Sequence, residues 1–127
     1  MKIGELAKLA DVTVDTVRYY ERRGVIGLAR RQPCGYRVYL PETVDRIRLA
    51  RRLQALGMTL DEIVDALRAH DSGGTTCASE RWRLEAVSRR IQVKLDEFHA
   101  LKDLLDATLS RCDNQDCILQ NPKPGLD

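Results

Sequence analysis

Apolar residues at positions 3, 6, 7, 9 and 10 recur at the spacing that sets one face of a short helix against a core. The turn Asp11-Val12-Thr13 follows. Thr13 is a capping residue type ahead of a second helix, Val14 to Arg23, which Gly24 stops. Two short helices across a tight polar turn predict a helix-turn-helix. From Val25 to Tyr39 the pattern changes, because Pro33 and Gly35 interrupt it and Tyr36-Arg37-Val38-Tyr39 favours strand. A loop and small hairpin are predicted there, a wing beside the second helix. Pro41 suits the first turn of a third helix, about Glu42 to Leu56, with Val44, Ile47, Leu49, Leu53 and Leu56 on its buried side and Gly57 at its end. Thr59 with Glu62 three residues on has the capping-box pattern and opens a fourth helix through His70.

Asp71 to Thr76 reads as a hinge. Beyond it, Ala78 to Arg111 predicts one long amphipathic helix in which Leu84, Val87, Ile91, Leu95, Phe98, Leu101, Leu105 and Leu109 recur every three or four residues. That is a coiled-coil seam. A stripe of this kind needs a partner, and a second copy packed antiparallel is the simplest; a clamp over the chain's own head is the alternative. The expected fold is all-α with a small β wing: a winged helix-turn-helix head in residues 1–70, hinge and dimerisation helix in 71–111, a loop and short helix in 112–120, and a disordered tail in 121–127.

Charge refines this picture. The net charge is only +2, yet residues 1–70 hold 13 Lys/Arg against 9 Asp/Glu, while 71–127 hold 8 against 10. The basic surplus falls on the predicted head, though a surplus of this size proves no nucleic-acid partner by itself. No apolar run approaches the ~20 residues of a membrane span, and MKIGELAKLA is amphipathic rather than a signal peptide, so a cytoplasmic protein is expected. No glycine-rich phosphate loop and no nucleophile with a partnering His points to an enzyme.

In a helix-turn-helix, the second helix enters the major groove. Here it offers Thr13, Asp15, Thr16, Arg18 and Tyr19 as DNA-binding candidates. Arg18 can grip phosphate or the guanine edge, and Tyr19 can donate to phosphate. Tyr36, Arg37 and Tyr39 on the wing would add backbone contacts, although Tyr39 could instead pack beneath it.

In a reducing compartment, cysteines serve more often as ligands or redox centres than as structural disulfides. Cys77 and Cys112 bracket the long helix and would lie roughly 50 Å apart at about 1.5 Å per residue. Two helices packed antiparallel would bring Cys77 of one chain to Cys112 and Cys117 of the other. Each dimer would then carry two three-thiolate sites. Such soft ligands favour mercury(II), cadmium, lead, copper(I) or zinc. Asp113 and Asp116 read as solvated loop residues, His70 and His99 as surface or core, and Cys34 as an incidental thiol. An iron–sulfur or redox sensor is the reading from another class, but a cluster usually takes four grouped cysteines.

The stretch IGELAKLADVTVDTVRYYERRGVI, then GYRVY, then LGMTLDEIVDAL, closely resembles the MerR family of metal-responsive transcription regulators. The resemblance implies a homodimer on double-stranded promoter DNA whose spacer is too long for RNA polymerase to engage both elements. It implies that metal binding shifts the heads, distorts the DNA and so activates metal-resistance genes. A cysteine at the position of Cys77 resembles the members that sense divalent ions, here mercury, cadmium or lead, with zinc possible; copper(I) members tend to carry a small non-ligating residue there. The loop Cys112-Asp-Asn-Gln-Asp-Cys117 is shorter than is usual in the family.

Overall fold

The computed structural model describes residues 1–33, 35–117 and 119–120, so Cys34 and the expected tail at 121–127 lie outside the described residues. Helices α1 (Ile3–Ala10), α2 (Val14–Arg23), α3 (Glu42–Ala55), α4 (Leu60–Asp71) and α5 (Cys77–Asp113) follow in order, with strands β1 (Arg30–Arg31) and β2 (Arg37–Val38) between α2 and α3. Two compact units result, Met1–Leu84 and Glu85–Asp127.

Local chemistry accounts for the helix ends. Asp11 leaves α1 in the left-handed region at φ 57°, and its turn returns Val12 N–H to Ala7 O at 2.9 Å. Thr13 caps α2 by accepting from Thr16 N–H at 3.1 Å. Gly24 ends α2 at φ 80°, a conformation that costs a residue with Cβ. The capping box on α4 is complete: Glu62 N–H donates to Thr59 Oγ1 and Thr59 N–H to Glu62 Oε1.

The core of the first unit collects Leu6, Val17, Tyr20, Val25, Ile47, Ile63 and Leu67, each 2 % exposed or less. Helix α1 packs on α2 and α3, and α3 on α4. The buried side of α3 differs from expectation: Val44, Ile47 and Ala50 are buried, whereas Leu49 and Leu56 are 36 % and 54 % exposed. Leu49 and Leu53 instead line an apolar groove with Met58, Leu67, Cys77 and Leu84.

The wing is a two-stranded antiparallel ladder pairing Arg30 with Val38 and Arg31 with Arg37. Helix α5 is longer than the predicted Ala78 to Arg111, so Cys77 and Cys112 both lie inside it. Its start is fixed by an exchange in which Ser79 N–H donates to Thr76 Oγ1 and Thr76 N–H to Ser79 Oγ. The short helix expected after Cys112 is absent among the described residues, which form turns instead. Gln115 at φ 62° breaks the helical path. No helix of the described residues is long and apolar enough to cross a membrane.

Candidate nucleic-acid interface and metal centre

Helix α2 divides cleanly by face. Val17 and Tyr20 are buried, while Asp15, Arg18, Tyr19 and Arg22 are exposed. These four stand at i, i+3, i+4 and i+7, the spacing of one helix face. Tyr19 is held from two sides, since Arg23 Nη1 donates to its hydroxyl at 2.9 Å and the Arg22 and Arg23 guanidinium groups lie 5.8 and 5.7 Å from its ring. Arg23 also pairs with Asp61 of α4. Thr13 and Thr16 sit at the head of the same helix with their hydroxyls 2.9 Å apart, so both are partly committed to capping.

On the wing, Tyr36 is 60 % exposed and Lys2 Nζ stands 4.6 Å from its ring centre. Arg37 is exposed in β2. Tyr39 departs from its expected role. It is 4 % exposed, and its hydroxyl donates to Glu21 Oε2 at 2.8 Å, so it packs beneath the wing and is withdrawn from the contact surface. Burial first, then the Glu21 carboxylate, pushes its phenol up to about 12.

Three cations escape a reading of the sequence alone. Arg22 continues the exposed stripe of α2, a spacing that could have revealed it. Arg30 and Arg31 form β1 and are exposed; their neighbourhood to Arg37 depends on strand register, which the sequence leaves open.

The three described cysteines separate into a pair and a single residue. Cys112 Sγ donates to Cys117 Sγ at 3.6 Å. That hydrogen bond raises the Cys112 thiol, whereas the Leu119 backbone N–H, followed by the Cys112 thiol, lowers Cys117. The two thiols are thus shifted in opposite directions, and they titrate as a pair. Arg111 Nε holds Asp116 at 3.1 Å, which occupies that carboxylate outside the thiol pair. Cys77 is exposed in the first turn of α5 and lines the apolar groove. Among the described residues, no three His, Cys, Asp or Glu side chains converge within one chain to hold a metal.

The thiol pair suits a soft ion. At the zinc–sulfur distance of about 2.3 Å, tetrahedral geometry places two sulfurs about 3.8 Å apart and linear geometry about 4.6 Å, and larger soft ions widen both. The hydrogen-bonded 3.6 Å separation already brings the two sulfurs near the spacing at which one ion can be held by both.

Comparison with known proteins agrees with this anatomy. Residues 1–70 match the family described as MerR HTH family regulatory protein, and residues 44–108 match MerR, DNA binding. The mercuric resistance operon regulatory protein of Bacillus cereus is 35 % identical over 121 residues, covering 95 % of this chain and 92 % of that protein. The HTH-type transcriptional regulator CueR of Vibrio cholerae is 32 % identical, covering 88 % of this chain and 81 % of its own. Among solved structures, the transcription regulator PbrR691 of Ralstonia metallidurans in complex with lead(II) superposes with a TM-score of 0.79 at 34 % identity, covering 87 % of this chain and 86 % of that one.

Proposed function

The chain belongs to the MerR family of helix-turn-helix transcription regulators, DNA-binding proteins without enzymatic activity, and from that premise we propose that it is a homodimeric sensor of a soft divalent metal. Cys77 of one protomer joins Cys112 and Cys117 of its partner, giving one ion per thiolate triad and two per dimer. The observation that carries this reading is the Cys112–Cys117 pair, whose sulfurs stand 3.6 Å apart at the end of α5. Mercury, cadmium and lead are favoured because three thiolates form a soft, incomplete tetrahedral set, whereas zinc prefers four ligands. Relatives named for mercuric resistance and a lead-bound structure at 34 % identity support the same class of effector.

DNA is gripped by the exposed face of α2, with Thr13, Asp15, Thr16, Arg18 and Tyr19 at its N-terminal part, and by Tyr36 and Arg37 of the wing. Each head takes one half-site of a promoter duplex, as two-fold dimers do. The ion's contribution is to join thiolates of two chains. By favouring one arrangement of the paired heads over another, that link shifts the dimer toward a DNA-distorting state. RNA polymerase at the same cytoplasmic promoter then reads a realigned spacer and transcribes metal-resistance genes.

The test is a competitive titration of the reduced protein with mercury(II), cadmium, lead, zinc and copper(I). Thiolate-to-metal absorption and stoichiometry are read for wild type and for Cys77→Ser, Cys112→Ser and Cys117→Ser. One divalent ion per triad, lost in each variant, is expected. Tight copper(I) binding indifferent to Cys77→Ser would replace the triad with a two-cysteine monovalent site.

A further inference from the structure

The wing is small for an element asked to carry charge onto DNA. Each strand has two residues, and isolated two-stranded hairpins are marginal in water. One side chain outside the wing reaches both of its stems. Glu21, on the half-buried flank of α2, accepts from Ala29 N–H through Oε1 at 2.8 Å and from the Tyr39 hydroxyl through Oε2 at 2.8 Å. Ala29 immediately precedes β1 and Tyr39 immediately follows β2. The carboxylate therefore clamps the base of the hairpin to the helix that enters the groove, with both oxygens occupied.

We infer that Glu21 is a positioning residue for DNA binding: it fixes Arg30, Arg31 and Arg37 of the wing relative to α2 and touches no DNA itself. The inference rests on the DNA-binding reading above and adds a determinant to it. Its signature runs against simple electrostatics. Deleting a carboxylate makes the head more positive, which by charge alone tightens binding to phosphate. Loss of the clamp does the opposite, because arginines on a loosened hairpin must be ordered at the moment of binding.

A duplex is first selected by the wild-type dimer from a randomised pool, and affinities are then measured across a salt series by fluorescence anisotropy. Failure of the wild type to select any sequence would remove the DNA-binding reading itself. Given a selected duplex, Glu21→Ala is expected to bind about tenfold more weakly at fixed salt, and its plot of log K against log salt to be shallower by about 0.9 for each phosphate that the wing no longer neutralises. Glu21→Gln, which keeps an acceptor for Ala29 N–H and can donate to the Tyr39 oxygen, should restore most of both. A mutational cycle with Arg31→Ala should be non-additive, since both act through the wing. Equal or tighter binding by Glu21→Ala, or no difference between Ala and Gln, overturns the inference. If Glu21→Ala does not fold, Tyr39→Phe removes one bond of the clamp without changing charge. An unaltered affinity and salt slope in that variant overturns the inference equally.

Discussion

Replacing Phe98 by alanine tests how the proposed three-cysteine site is assembled, because as proposed that site needs two chains. Phe98 is 67 % exposed within its own chain, yet it belongs to a stripe. At about 100° per residue, Leu84, Val87, Ile91, Leu95, Phe98, Leu101, Leu105 and Leu109 fall within an arc of about 120° on α5. Val93 and Leu104 lie outside it. A phenylalanine side chain offers about 150–250 Å², so two-thirds exposure leaves about 100–170 Å² for a second copy to cover. At about 25 cal/mol per Å², and with Cβ retained, truncation costs about 2–3 kcal/mol per protomer. Symmetry doubles this to about 5 kcal/mol, or a dimer dissociation constant raised about a thousandfold or more. Sedimentation equilibrium reads that shift directly. Val93→Ala, 55 % exposed on the opposite face, should leave dissociation unchanged. Equal weakening by the two variants, or none by Phe98→Ala, would place the interface elsewhere and dissolve the geometric basis of the triad. Metal stoichiometry at protein concentrations below the new dissociation constant should fall in parallel.

Two further outcomes follow from the head. The Tyr39 phenol, pushed up to about 12 by burial and by Glu21, should give a late phenolate absorbance step that is missing in Tyr39→Phe. Because the folded value lies above the ordinary 10, the associated stability is full below pH 10 and is lost as pH rises toward about 12, which alkaline melting curves will register. Thr59→Ala removes the acceptor for Glu62 N–H and half of the capping box, and should cost about 1 kcal/mol in urea unfolding without altering DNA affinity.

Much of the head was legible because its signals are local. Thr13 and Gly24 bracket α2 within eleven residues, and Thr59 with Glu62 announces α4 by a side-chain exchange that spans three. The wing was legible as a hairpin but not in its facing. Tyr36 and Tyr39 look alike in sequence, and the contacts that hold Tyr39 come from far along the chain, from the Glu21 carboxylate and from Met1, while Tyr36 stays exposed. Lys2 likewise meets Tyr36 across thirty-four residues, a contact no local pattern announces. Leu49 and Leu56 kept helical apolar spacing yet remain exposed, since periodicity names a face without saying what covers it. The start of α5 carries a local signal as well: Thr76 and Ser79 form a reciprocal cap that puts Cys77 inside the helix.

That placement bears on how an ion could speak to DNA. Cys77 belongs to the unit Met1–Leu84, which also contains α2 and the wing, whereas Cys112 and Cys117 belong to the other unit. The proposed triad, drawn from two chains, would therefore link the DNA-binding unit of one protomer to the far end of α5 in its partner. The link acts on a braced point. Upstream, Arg46 binds both Asp71 carboxylate oxygens at 2.7 and 2.8 Å while its Nε donates to Val25 O, just beyond the end of α2. Downstream, Arg83 joins Asp65 of α4 to Glu80 of α5. Between these arginines the chain turns through Gly73 and Gly74 at φ 79° and 76°, conformations that side chains resist. Ion pairs on both sides of Cys77 thus reach α4 and, through Arg46, the residue just beyond the end of α2. In the proposed dimer, an ion held at Cys77 would adjoin charged contacts that lead toward the end of α2.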